Sequence, residues 1–542
     1  MIAQIEKYPF RFLLLFASLI FLVNLDVLYV NIMEARNFVT AREMLSQGNW
    51  VLTTMNDFPR YEKPPLPTWL TAVSAKIFGV HHLFGLRLTA ALSAILLSAF
   101  LYKITHFLRK NALFALYSGL ILVTSFYIVF AGRNGQWDIY THAFMTGALF
   151  FLCKMFLTGK NTWTNALMAA LFFAASFLSK GPVSLYALWL PFMIALLVVY
   201  RKDISRKKVI PFLIFLATGL AIGVSWFVYV RFADPEAFLE ITREETTNWS
   251  SYNVRPFWYY WSFFTQSGLW TIPAFTALLY PYLKNRVSDK KVYTFSLIWT
   301  LAAVVLLSVI PEKKSRYLLP VLIPMAMNTA FYVEYLIAAF KTVNNPWEKL
   351  PVYIHFGILS ALGLGFPLAG YILFGDQLEG LQLWFWLSAI SLFILGILFV
   401  KAMMRKNIKT LFYLSLALIA CILSFGLPLS RALYTNPDFN NIASYPERNQ
   451  IRYAFGEPAP EMIWHLGHAA PDIEGKLPHQ IPEETSFTIL VGPSKEAEFK
   501  RIFEAEYTLE LLETFDINYT ASPGDRNYKD RLVSKYYLVK KK

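Results

Sequence analysis

The residues able to do chemistry sit in a few polar clusters set between long apolar stretches. They are Glu34 with Arg36; Arg60-Tyr61-Glu62-Lys63-Pro64-Pro65; and Gly132-Arg133-Asn134-Gly135-Gln136-Trp137-Asp138. Further along come Lys180-Gly181-Pro182, Arg255-Pro256-Phe257-Trp258-Tyr259-Tyr260 and Lys313-Lys314-Ser315-Arg316-Tyr317. A charge at the hydrocarbon edge is costly unless it is paired or faces water, so each cluster is a candidate functional group. Carboxylates beside lysines and arginines suit a substrate that is both phosphate and sugar. The cations would hold a phosphate leaving group while a carboxylate takes the proton of an attacking hydroxyl.

Each residue also has a plainer reading. Asn31-x-x-Glu34 has the form of a capping box, whose glutamate only satisfies a backbone N–H. Against that, Glu34, Phe38, Ala41 and Leu45 fall on one helical stripe, which points Glu34 into protein. Asp138 stands where it could cap a helix, and Glu62 with Lys63 could be a surface pair worth under about 1 kcal/mol. Arg255 could be an interfacial arginine among the aromatics of Trp258–Tyr260. Arg36 could simply pair with a neighbouring carboxylate. His81 and His82 read as interfacial rather than metal-binding, because adjacent residues do not share a helix face.

These clusters must be positioned by a membrane framework. Of 542 residues, 56% are hydrophobic and 17% aromatic, far above a soluble chain of this length, so the fold class is an α-helical polytopic membrane protein. Windows of roughly 20 apolar residues place about thirteen spans near 10–30, 84–105, 112–131, 140–158, 163–179, 183–200, 209–231, 258–283, 292–311, 317–340, 352–374, 382–403 and 409–430. The first apolar run is longer than a signal-peptide core and lacks a clear cleavage site, and reads as a retained span. Basic residues in alternate short loops (Arg109–Lys110, Arg201–Lys208, Lys284–Lys291, Lys401–Lys409) assign those loops to the cytoplasm. The tail then lies outside. The net charge of +14 does not indicate nucleic acid, because the part from Arg431 carries 14 basic and 17 acidic residues and the surplus flanks the spans. Cys153 and Cys421 both lie in apolar stretches and read as packing residues.

Two units follow: residues 1–430 as the transmembrane domain and 431–542 as a small external α/β domain. The latter has strand-like Phe487–Val491, an amphipathic helix at Lys495–Phe503 and a strand at Lys535–Val539. No phosphate loop, zinc spacing or nucleophile elbow occurs in the tail. The 31–83 loop is too long and too polar to be a mere connection. It is expected to hold one surface helix beginning at Asn31 and a second from Leu66 to Phe78, after the Pro64–Pro65 break.

The succession MEARNFVTAREM, YEKPPLPTWL, GRNGQWD, SKGP, RPFWYY and KKSRYLLPVLIP over roughly residues 10–340 resembles the bacterial branch of the protein O-mannosyltransferase-like superfamily. Within that branch it is most similar to the lipid A aminoarabinose transferases. The resemblance implies a GT-C fold and an inverting glycosyltransferase of the bacterial cytoplasmic membrane, working on the periplasmic face. The implied donor is a polyprenyl-phosphate-linked sugar, and the acceptor a lipid A-like glycolipid, another cell-surface glycan or a protein. It casts Glu34 and Asp138 as candidate catalytic residues. Arg36, Tyr61, Glu62, Lys63, Lys180, Arg255, Arg316 and Tyr317 become candidate substrate-binding residues, with Lys63, Arg255 and Arg316 on the lipid phosphate. Glu62 and Asp138 are the candidate ligands should a divalent metal ion be used; no other cofactor is implied. One departure stands out: Met33 occupies the position where the family places an aspartate base. The rival expectations are a transporter of polyprenyl-linked sugars, which would show internal repeats or broken helices with midplane charges, and a degenerate relative that only binds lipid.

Overall fold

The computed structural model describes residues 2–474 and 484–542. Among them, ten helices are long and apolar enough to cross a membrane, from Leu83–Arg109 to Ile408–Leu433. An eleventh span is the pair Ala112–Val123 and Phe126–Gly132, bent by 69°. Besides that bent pair, two more of the thirteen expected spans are not continuous membrane-length helices. The first is the 14-residue helix Pro9–Leu22. Its last carbonyls are taken by Arg133, whose Nη1 donates to Ile20 O (2.6 Å) and Nη2 to Val23 O and Asn24 O (both 2.7 Å). The second, 258–283, runs as short pieces: Phe257–Tyr260, Phe263–Trp270, Thr271–Leu278 and Tyr280–Leu283. Gly268 breaks it with a φ of 62°, a conformation in which a side chain would also meet Phe126.

The loops sort to the two ends of the bundle. At the basic end Arg109 bonds Ser288 and pairs with Glu334 (2.9 Å), Lys291 pairs with Asp203 (2.7 Å), and Lys409 with Glu6 (2.6 Å). Such partly exposed pairs add little stability, but they fix which loops are neighbours. At the other end the 31–83 loop folds as expected, with helix Ile32–Gln47 and helix Leu66–Phe78. A two-residue hairpin, Thr54–Met55 against Phe58–Pro59, lies between them. Its turn residues Asn56 and Asp57 both take positive φ. The Glu43 carboxylate holds that turn, accepting from Asn56 N (2.7 Å) and Thr54 Oγ1 (2.7 Å).

The C-terminal part is a four-stranded sheet in the order Tyr453–Phe455, Ser486–Val491, Val533–Lys541, Tyr507–Asp516. The first pair is parallel and the others antiparallel. Phe499 and Phe503 of helix Glu496–Phe503 pack with Phe487, Ile489 and Val539 of the sheet. This domain docks on the 31–83 loop. Phe38, Val39 and Leu86 share a buried cluster with Met462, Ile463 and Trp464. Asn56 exchanges two hydrogen bonds with the Ala470 backbone (2.8 and 2.7 Å), and Arg42 donates to Ile463 O (3.2 Å).

Candidate active site

The stripe on helix Ile32–Gln47 clamps the Gly132–Asp138 turn. Glu34 is 1% exposed and accepts five hydrogen bonds. Arg87 grips both its oxygens (2.7 and 3.0 Å), Gly135 N donates to Oε1 (2.9 Å), and Asn31 supplies the other two. One turn on, Asn37 donates to Gly135 O (2.7 Å). Phe38 lies so close under Gly135 that a Cβ there would collide with its ring. The turn is therefore held by its N–H, its C=O and its missing side chain. Arg87 also bonds Leu25 O, Leu28 O and Tyr29 O, tying the chain end of the first helix to the same point. This geometry does not support the expectation that Glu34 is a base, since its carboxylate is enclosed and saturated. Met33, beside it, only donates its N–H to the Asn31 cap (3.0 Å). Sequence reasoning missed Arg87. The available signal was a lone arginine in an apolar helix, which needs a buried anion.

The clamped turn delivers Asp138 as the first residue of helix Asp138–Leu157. That helix and the next, Thr162–Lys180, form an antiparallel pair joined by a short loop, so the start of one meets the end of the other. Ser176 ties them, donating to Thr141 O (2.7 Å). Asp138, 4% exposed, is ion-paired and hydrogen-bonded to Lys180. A carboxylate at a helix N-terminus and an ammonium at a helix C-terminus are both favoured by the backbone dipoles. Gly181, at φ 66°, ends the second helix and lets Pro182 follow. Lys180 Nζ lies 5.4 Å from the centre of the Tyr317 ring, and Arg316 and Lys63 lie within electrostatic reach of the pair.

The second half of the 31–83 loop closes on this pair. Arg60 is buried with its guanidinium 4.8 Å from the Trp137 ring and 3.7 Å from Glu62 Oε2. Burial holds the Arg60 pKa below the ordinary arginine value, and the neighbouring Arg36 adds to this against the carboxylates of Glu62 and Glu245. Tyr61 donates to Asp234 (2.8 Å), and Lys63 pairs with Glu245 (3.0 Å). Both partners belong to segment 231–257, where Asp234 caps helix Pro235–Ser251. Burial first, and Asp234 second, push the Tyr61 hydroxyl pKa up. Several polar atoms here are buried without a hydrogen bond: Arg36 Nε, Arg60 Nε, Glu62 Oε2, Asn134 Oδ1, Trp137 Nε1 and Arg316 Nε.

Not every candidate converges. Arg255 is exposed; its backbone alone is held, by Pro311 O (3.1 Å) and by Lys313 Nζ on its carbonyl (3.0 Å). Tyr317 donates to Glu312 (3.0 Å), which also pairs with Lys314 (2.6 Å). Arg36 makes no ion pair among the described residues, contrary to the plainer reading of it. Among those residues no group of three or more His, Cys, Asp and Glu is disposed to hold a metal ion. Glu62 and Asp138 each already face a cation, so the donor set does not fit a divalent site.

Residues 62–229 match the profile of the dolichyl-phosphate-mannose-protein mannosyltransferase family. The undecaprenyl phosphate-alpha-4-amino-4-deoxy-L-arabinose arabinosyl transferase 1 of Proteus mirabilis is 26% identical over 373 residues, 66% of this chain and 65% of that one. The chain thus spans just under two thirds of that relative. The corresponding transferase of Pectobacterium atrosepticum is 27% identical over 453 residues, 80% of this chain and 79% of its own. In structure, ArnT from Cupriavidus metallidurans, solved apo and bound to undecaprenyl phosphate, superposes with a TM-score of 0.68 at 16% identity, covering 97% of both chains. The chain is thus similar in sequence to the aminoarabinosyl transferases and carries the fold of ArnT over nearly its whole length.

Proposed function

We propose that the protein transfers a sugar from a polyprenyl-phosphate donor to an acceptor at the periplasmic face of a bacterial inner membrane. The acceptor class is a lipid A-like glycolipid, another cell-surface glycan or a protein. The observation that carries this reading is the charge balance of the loop end. Five cations (Arg36, Arg60, Lys63, Lys180 and Arg316) face four carboxylates (Glu43, Glu62, Asp138 and Glu245). The surplus of positive charge is what a departing phosphate monoester needs. Unpartnered donors and acceptors beside it suit a polyhydroxylated ring. In the transfer, an acceptor oxygen attacks the anomeric carbon, its proton passes to a carboxylate, and the carbon–oxygen bond to the phosphate breaks. Polyprenyl phosphate leaves with the bonding pair, stabilised by Lys63, Lys180 and Arg316.

The carboxylate we assign to the proton is Asp138. Lys180 compensates its charge without the ring of five donors that closes off Glu34. In this reading Glu34 is a positioning residue that acts through Gly135. The undecaprenyl phosphate bound by Cupriavidus ArnT supports the donor class. Thirteen crossings, including the short first helix and the broken 257–283 segment, remain our reading of the topology, with the tail domain periplasmic.

The test uses purified protein in lipid nanodiscs with a radiolabelled polyprenyl-phosphate sugar and extracted cell-envelope glycolipid as acceptor. Release of free polyprenyl phosphate by the wild type and its loss in Asp138→Asn are expected. Movement of intact donor between leaflets without release would instead favour the transporter. Donor binding with neither release nor movement would favour a lipid-binding relative.

A further inference from the structure

The basic end of the bundle, opposite the site, holds a feature that sugar transfer does not use. Between helix Thr271–Leu278 and the first turns of helix Pro346–Phe374 lies an open-sided cavity of about 560 Å³. Its walls are Phe275 and Leu279 on one side and Leu350 and Ile354 on the other, all exposed where hydrocarbon would lie. One end is polar. There Arg286 pairs with Glu348 (2.9 Å), donates to Tyr282 O (2.7 Å) and stacks 4.3 Å from the Tyr282 ring. Tyr282 donates to the same glutamate (3.1 Å). Trp347, 76% exposed, stands at the rim, the depth at which tryptophans mark a membrane–water interface.

We propose that this cavity binds an anionic glycerophospholipid, with an acyl chain between the apolar walls and the phosphate at the Arg286 end. The size falls within the range of dedicated ligand sites. An apolar slot offers water no partners, so hydrocarbon fills it instead. The two segments that form the polar end, 280–291 and 341–350, carry six basic residues against two acidic ones. Glu348 fixes the direction of Arg286, the one basic residue lining the cavity, while Lys284, Lys290, Lys341 and Lys349 lie outside the lining on the same two segments, and basic surroundings between helices on this side of a membrane select anionic headgroups. The slot exists because segment 257–283 does not continue as one long helix; its last pieces are the eight residues Thr271–Leu278 and the four residues Tyr280–Leu283.

The full-length protein, exchanged into micelles holding equal amounts of phosphatidylglycerol and phosphatidylcholine with the same acyl chains, is read by native mass spectrometry. One retained phosphatidylglycerol is expected, preferred roughly fivefold or more over phosphatidylcholine. Ile354→Trp and, from the opposite wall, Leu279→Trp fill the slot without touching the Arg286–Glu348 pair, and either is expected to abolish retention. Arg286→Gln is expected to lower the headgroup preference. Equal retention of the two lipids, or full retention in both tryptophan variants, overturns the proposal. So does preferential retention of undecaprenyl phosphate added at the same level, which would assign the cavity to the donor lipid.

Discussion

Two buried carboxylate–cation pairs lie on either side of the Gly132–Asp138 turn, and they are built differently. Glu34 and Arg87 are sealed: every oxygen of the glutamate is engaged, and the arginine also serves three backbone carbonyls. Asp138 accepts one hydrogen bond among the described residues, from Lys180, and has Arg316 and Lys63 nearby. Polar atoms of Trp137, Asn134 and Arg60 that make no hydrogen bond crowd the same turn. A buried ion pair that is fully satisfied specifies a structure; one left with spare capacity is available to a ligand. The family-like motifs contain both kinds, so motif membership alone does not say which acid does chemistry.

The contrast can be broken from either side. The largest effect on transfer is expected from Asp138→Asn, which should lower it by about 10²- to 10⁴-fold; the asparagine carbonyl still accepts from Lys180, so the variant is expected to fold, with a lowered melting temperature. Arg87→Ala strands a buried carboxylate and should cost roughly 3–5 kcal/mol of stability, read as loss of folded protein on size-exclusion chromatography and a lowered melting temperature. Lys63 tests the sharper question of whether a loop cation meets the donor. Lys63→Ala should weaken donor binding by about 1.5–3 kcal/mol, the worth of a charged hydrogen bond, whereas Glu245→Gln should leave binding equal or tighter, because it frees Lys63.

The smallest effect concerns Glu43. Burial first, with Asp57 adding, raises its pKa above the ordinary glutamate value. A carboxylate whose folded pKa is raised costs stability as pH climbs from the ordinary value through the raised one. The wild-type melting temperature should therefore carry a downward slope with rising pH in that window, and Glu43→Gln should flatten it.

Much of this was legible in the sequence for reasons that can be named. The stripe Glu34–Phe38–Ala41–Leu45 and the proline break at 64–65 placed both loop helices, and the helix Leu66–Phe78 starts and ends where expected. Basic loops sorted the two ends of the bundle. The capping-box form of Asn31-x-x-Glu34 was also visible and is present, yet it accounts for only part of what Glu34 does. What stayed hidden depended on backbone path or on distant partners. Hydropathy counts apolar residues and does not see that Gly268, Pro273 and Pro281 interrupt 257–283. The hairpin at 54–59 has two-residue strands, too short for alternation to register. In the tail, strand Tyr507–Asp516 lies at the sheet edge with a bulge and an exposed run Glu510–Leu512, so it lacks the apolar rhythm of Ser486–Val491. The partners of Tyr61 and Lys63, more than 170 residues away, could not be named from spacing.

The most direct test sets the two acids against each other in one assay. Asp138→Asn and Glu34→Gln are purified, their folded fractions measured, and release of polyprenyl phosphate from labelled donor is reported per folded molecule. The account predicts that Asp138→Asn is folded and inactive, while the folded part of Glu34→Gln keeps activity within about tenfold of wild type, the scale of one displaced hydrogen bond. A folded Glu34→Gln with no release beside an active Asp138→Asn would contradict it.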